Sequence, residues 1–185
     1  MRTPDKSPLF EQLVLPHLDA AYNLARWLVR NDQDAQDLVQ EATLRAYRFF
    51  DNFEGSDARA WLLTIVRNCC YSWMRQQRVK EVTTEFSEEL HSTNLDGESS
   101  ANVASAAGNP ETLVIQAKET QRIRMAIENL ALEFREVVVL RDIEGLSYKE
   151  IAEVAGVPMG TVMSRIARGR QQLQQQLCEP GNEDD

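Results

Sequence analysis

Thr161, Met163, Ser164, Arg165, Arg168 and Arg170 crowd one short stretch of the chain. On a helix, residues three and four apart share a face, so hydroxyl and guanidinium groups would project together. That chemistry suits charge-assisted hydrogen bonds to phosphates and base edges. No acid occurs between Glu153 and Glu179, so the stretch lies in a locally positive field. At physiological salt charges are screened over about 8 Å, so local charge outweighs net charge. The plain alternative for three arginines is a solvated helix face.

A second set is Thr64, Asn68, Tyr71, Arg75 and Arg78, at spacings of four, three, four and three, with Arg67 beside it. Ala58 to Lys80 holds five basic residues and no acid. Cations interleaved with aromatic and amide groups suit unpaired nucleic acid, where the cations follow phosphates and flat groups stack on bases. Core burial of Trp61 and Trp73 with solvated arginines is the alternative, and for Trp73 the preferred one. A third stripe, Asp37, Glu41, Arg45 and Arg48, places two carboxylates one turn apart. Such a pair is tolerable on any solvated helix and useful where a helix meets a basic partner.

Reactive chemistry is scarce. Cys69, Cys70 and Cys178 form neither a disulfide framework nor a CxxC spacing, and His17 and His91 add too few ligands for zinc. Beside Val66 and Trp73, Cys69 reads as a small core residue rather than a redox switch. With no activated nucleophile, metal cluster or phosphate-binding glycine loop, the expectation is a binding protein without cofactor or metal, and not an enzyme.

The elements that must position these groups read as helices. Ser147 with Glu150 three residues on is a capping box that starts a helix. Ile151 and Val154 supply its buried side, and Ala152 is small where another helix would cross. Gly156 suits the left-handed residue that ends it, and Val157-Pro158-Met159-Gly160 connects to a second helix over about 161–177. In such a helix-turn-helix the second helix enters the major groove. Upstream, 112–130 carries Leu113, Ile115, Ala117, Ile123, Ala126, Ile127 and Leu130 as an apolar face, followed by a helix over roughly 133–142. Residues 9–30 read as one or two helices, and Asn31 or Asp32 caps the next, which turns Leu38, Ala42, Ala46 and Phe49 inward. Past a Gly-containing loop, a helix from about 58 to 78 buries Leu62, Val66, Cys69 and Trp73.

The 185 residues carry 29 acids against 20 bases, a net charge of −9 that argues against nucleic acid. Its distribution reverses that argument. Residues 1–80 hold 11 basic and 10 acidic side chains, and residues 111–177 hold nine of each. Residues 81–110 carry six acids and no Lys or Arg, and 178–185 add four acids. The middle segment, rich in Ser, Thr, Asn, Gly and Glu, cannot bury enough apolar area to offset its ordering entropy. The expected architecture is all-α: two small helical domains, 1–80 and 111–177, joined by a flexible acidic linker 81–110 and followed by an acidic tail. No stretch is apolar enough to span a bilayer or act as a signal peptide, so a cytoplasmic location and no membrane insertion are expected.

In DAQDLVQEATLRAY, FEGSDARAWLLTIVRN and the basic run to Lys80, the first block resembles region 2 of the extracytoplasmic-function sigma factors, the smallest of the sigma-70 family. The second block resembles region 4 through LALEFREVVVLRDIEGLSYKEIAEVAGVPMGTVMSRIARGRQQL. The resemblance implies a region 2 helical bundle and a region 4 helix-turn-helix. It also implies a sigma factor directing promoter-specific transcription for a stress- or signal-responsive regulon under anti-sigma control. Its partners would be the beta-prime clamp and beta flap of core RNA polymerase, and promoter DNA that is single-stranded at minus-10 and double-stranded at minus-35. Asp37, Gln40, Glu41 and Arg45 would dock on the clamp. Phe53, Ser56 and Arg59 would belong to the loop that captures a flipped minus-10 base, with Trp61, Asn68, Tyr71, Arg75 and Arg78 along the helix beneath it. Thr161, Ser164, Arg165, Arg168 and Arg170 would read minus-35, and Met163 stands where many relatives have Lys or Arg.

Two other readings fit the same motifs: a stand-alone helix-turn-helix regulator, and a sigma-like module that keeps only its protein contacts. On the first reading the linker must be extended when both promoter elements are bound. Thirty residues relax to roughly 30 Å and stretch to about 100 Å, while the two promoter elements lie on the order of 50–70 Å apart.

Overall fold

A computed structural model describes residues 6–55, 57–85 and 110–178, with side chains placed except at 81–85 and 110–115. The described residues are helical and contain no strand. The order is α1 (Ser7–Leu13), α2 (Leu18–Val29), α3 (Asp32–Phe49) and α4 (Ala58–Glu85), then α5 (Pro110–Glu128), α6 (Leu132–Val138), α7 (Tyr148–Ala155) and α8 (Met159–Cys178).

Alanines let the first helices approach closely. Ala21 and Ala25 on α2, and Ala35, Ala42 and Ala46 on α3, are fully buried where larger side chains would hold the helices apart. Asn31 is the residue that caps α3, accepting the Asp34 amide at 3.0 Å. Leu62, Leu63 and Val66 bring α4 onto this pair.

Phe49, expected inside, is 57% exposed, and Phe50 takes its place. The chain tightens after Phe49 into one 3-10 turn, Phe50–Asn52. Phe50 stands four residues past the buried Ala46, as much a helical step as the three to Phe49, so packing decides which of the two rings turns inward. Phe50 then meets Phe10 edge-on at 5.3 Å and stacks at 6.0 Å from Phe53. Ile123, also expected inside, is 48% exposed, because the apolar face of α5 extends a turn beyond the cover that buries Ala126, Ile127 and Leu130. Ala117 is exposed as well, whereas Leu113 and Ile115 fall among the residues whose side chains are not described. α4 continues through Glu85 and α5 starts at Pro110. Once a long helix exists, each added residue gains a hydrogen bond without a new nucleus, so α4 runs on into the acidic segment. Proline at the first helical position of α5 gives up only an amide that would have no partner.

The two blocks share one apolar core. α6 packs on α2 and α7 on α4, and Leu140, Val137, Ile151 and Val154 join Leu24, Leu62 and Val66 in a single cluster. Among the described residues no helix is long and apolar enough to cross a membrane.

Candidate nucleic-acid interface

Ser147 builds the start of α7 as the sequence requires: its hydroxyl accepts the Glu150 amide at 3.3 Å, and the Glu150 carboxylate accepts the Ser147 amide at 2.5 Å. The Ser147 hydroxyl and amide hold the Glu150 carboxyl below the usual carboxylate range, with smaller help from Asp57 and Arg59 on the neighbouring block. Gly156 ends α7 at φ 65°, the left-handed region that glycine enters without penalty. α8 then leaves from Pro158, whose carbonyl accepts the Thr161 and Val162 amides at 2.9 and 3.1 Å. Val162 and Ile166 anchor α8 in the core.

The opposite face of α8 presents Met163, Ser164 and Arg168 to solvent. Thr161 is half-buried. Arg165, also half-buried, lies 3.5 Å from Glu133. Arg170 binds Asp142 through two nitrogens, which raises its already high pKa. Of the six residues singled out on this helix, three are therefore presented outright and two hold carboxylates of their own block.

The second surface lies on α4 and the loop before it. Asp57 caps α4 by accepting the Ala60 amide at 2.9 Å. Phe53 and Trp61 meet with ring centroids 4.9 Å apart. They line a cavity of about 410 Å³ together with Gly55, Asp57, Thr64 and, from α7, Glu153. Ser56 lies outside the described residues. Asn68, Arg75 and Arg78 are exposed along α4, and Trp73 packs against the core as expected.

Arg59 and Tyr71 do not stand beside them in solvent. Arg59 donates to the Glu144 carbonyl at 2.7 Å and to its carboxylate at 2.8 Å. The Tyr71 hydroxyl donates to Glu136 at 3.0 Å, and Arg67 binds the same carboxylate while stacking 4.3 Å from the Tyr71 ring centre. Burial pushes the Tyr71 phenol up to about 12, with Glu136 adding to the rise. It also acts most strongly to depress the Arg67 guanidinium, but the hydrogen bond and charge of Glu136, joined by Tyr71, together outweigh it and the net shift is upward. Glu136 and Glu144 were not singled out from sequence. The one available signal was an acid inside the apolar run of EFREVVVL.

On the outer face of α3, Asp37, Gln40, Glu41 and Arg45 are all exposed, with Arg45 bonded to Glu41 one turn back. Leu44 joins them at 61% exposure. Its spacing of three from Glu41 and four from Gln40 placed it on that face, so it was findable. Cys69 and Cys70 are buried, and burial pushes the Cys70 thiol up to about 12, an unreactive state.

Comparison with known proteins gives matches to both blocks. Residues 13–79 match sigma-70 region 2 and residues 120–173 match sigma-70 region 4. Over 179 residues, 95% of the chain, it is 35% identical to the ECF RNA polymerase sigma factor SigE of Mycolicibacterium smegmatis, and spans 64% of that protein's length. The ECF RNA polymerase sigma-E factor of Escherichia coli is 33% identical over 141 residues, 76% of this chain and 72% of that one. Among solved structures, the sigma factor RpoE in complex with the anti-sigma factor NepR from Bartonella quintana has a TM-score of 0.69 at 32% identity, covering 93% of this chain and 97% of that one. CnrH in complex with the cytosolic domain of CnrY has a TM-score of 0.64 at 26% identity, covering 94% and 90%.

Proposed function

The chain belongs to the extracytoplasmic-function sigma factors of the sigma-70 family, and from that premise we propose that it is the dissociable subunit that gives RNA polymerase its promoter choice. The observation that carries this reading is the pair of regions in one chain, region 2 before region 4, each with a polar surface of the matching kind.

Residues 1–80 act as the polymerase-binding and minus-10 domain, residues 111–177 as the minus-35 domain, and the acidic segment between them as the tether. Asp37, Gln40, Glu41 and Arg45, with Leu44 at their centre, dock on the beta-prime clamp, and the second domain meets the beta flap. Met163, Ser164 and Arg168 face the minus-35 major groove, with Thr161 and Arg165 at its edge and Arg170 near the phosphates. Asn68, Arg75 and Arg78 follow the opened minus-10 strand, and the cavity between Phe53 and Trp61 takes an unstacked base. Strand opening then needs no covalent chemistry: the protein binds opened DNA more tightly than closed, and that difference drives melting. The protein is not an enzyme in itself and works inside the cell.

A sigma factor of similar structure is held in complex with an anti-sigma factor, and an anti-sigma factor is the expected regulator here, covering the α3 face. The decisive experiment mixes the purified protein with core polymerase on genomic fragments and maps the transcripts. A sigma factor yields starts at defined positions only when both are present. A stand-alone regulator binds DNA without core and yields none, and a partner-binding module yields none and is indifferent to Arg165→Ala and Arg168→Ala.

A further inference from the structure

Apolar side chains of α8 divide between two faces. Val162 and Ile166 are buried, and Leu173 packs against the same core. Met159 and Met163 instead are 50% and 47% exposed. Four residues apart, they share the outer face of the first helical turns, about 5–6 Å from each other. A single exposed methionine would be ordinary surface, but a pair one turn apart makes a small apolar patch that folding alone does not require. The hydrogen-bonding groups around the pair are engaged with their own chain. The Ser164 hydroxyl donates to the Thr161 carbonyl at 3.0 Å, Arg165 lies 3.5 Å from Glu133, and Arg170 binds Asp142. Arg168 is exposed just over a turn beyond Met163. No acid occurs from Val154 through Cys178, so the patch is apolar at its centre and cationic at its rim.

Among the groups that base pairs present in the major groove, the C5-methyl of thymine is the apolar one. A thioether cannot donate and accepts only weakly, so it answers none of the polar groups there. It does fit a methyl closely, because its chain is unbranched and adaptable. Successive bases of one strand rise about 3.4 Å, a step that two side chains one helical turn apart can bridge. We infer that Met159 and Met163 determine specificity: they read the C5-methyl groups of pyrimidines in the minus-35 duplex, at one base pair or two adjacent ones. The inference rests on the sigma-factor reading and gives its recognition helix a base preference. Thymine carries this methyl, and 5-methylcytosine carries it at the same ring position. Exposed methionines also suit a partner protein, but a cationic rim without an acid favours the polyanion.

The test uses the full-length protein with core polymerase and a labelled promoter fragment selected from genomic DNA. Thymines of the minus-35 element, on either strand, are replaced one at a time by uracil, which removes the methyl and leaves the hydrogen-bonding edge unchanged. Affinity is read by fluorescence anisotropy. Wild type should lose about 4-fold at each methyl that is read, the contribution of one buried methyl group. The double variant Met159→Gln and Met163→Gln keeps the side-chain length on an exposed face and should bind thymine and uracil fragments equally. Cytosine and 5-methylcytosine placed at a sensitive position should differ by the same factor for wild type. Uracil that costs nothing at any position overturns the inference, and so does an equal cost in wild type and variant. A thymine cost with no matching gain from 5-methylcytosine, or a variant that no longer associates with core, overturns it too. Should circular dichroism show that the double variant has lost helix, Met163→Gln alone must reduce at least one of the uracil costs. Transcripts that need the protein on the unmodified promoter keep the sigma reading standing whatever uracil does, and their absence removes both.

Discussion

Arg165 and Arg168 lie three residues apart on α8 and differ in what holds them. Arg168 is exposed, whereas Arg165 is half-buried beside Glu133. Arg168→Ala should therefore weaken binding of the polymerase-bound protein to a minus-35 duplex by about 1–3 kcal/mol if it reads a base, and relax specificity at one position. A loss uniform across sequences, with a shallower salt slope, would instead make it a phosphate contact. Binding titrations on a panel of single-base variants decide between them. Such residues were legible in sequence because their chemistry is local: a basic, hydroxyl-bearing face behind a capping box needs no knowledge of the rest of the chain. Glu136 was not legible, since an acid reads as solvated until its partners are known, and those stand more than sixty residues away.

At the level of elements, the starts and stops that rest on side-chain chemistry came through, while register depended on packing. The Ser147–Glu150 box and the Gly156 stop appear where the sequence placed them. Glu150 carries a pH signature. Its folded pKa is depressed, so its contribution to stability is fully present above the unperturbed value of about 4.3 and is lost as pH falls through the lower folded value. Glu150→Gln should flatten that acid limb in thermal unfolding followed by circular dichroism, and an unchanged limb would remove the box from the account. Phe49 and Phe50 exchanged places because both fall a helical step past Ala46, three and four residues on, and only packing against Phe10 and Phe53 chooses between them.

Gly169 is a second element-scale feature hidden from sequence, where it reads only as a weak helix former. A Cβ there would lie 2.7 Å from Val138 Cγ2 and 3.5 Å from Phe134 Cβ. Val138 is buried, and a β-branched side chain on a helix is held near one rotamer, so it cannot swing away. Gly169→Ala gains about 1 kcal/mol of helix propensity but sets about 1–3 kcal/mol of overpacking against it. A lowered Tm is the expected balance, and a raised Tm would mean that α6 and α8 do not cross so tightly.

For the whole molecule, the charge of −9 misleads only as a total. The all-α class and the two blocks were legible because helical periodicity and charge segregation are both one-dimensional signals. Their shared core was not, because Leu62 or Ile151 looks the same whether it faces its own block or the other. The connection from Glu85 to Pro110 also sets the reach. With 24 residues between them, it can extend about 80 Å, still more than the 50–70 Å, roughly, between promoter elements. The same chain can therefore hold its blocks together or place them on separate elements. The measurement that bears most directly on the account is run-off transcription by core polymerase with and without this protein, on a promoter selected from genomic fragments. The account predicts a transcript of defined start that requires the protein and is lost when Leu44 and Glu41 on the α3 face are both replaced by Ala. A transcript that core makes equally well alone, or none from any fragment, would contradict it.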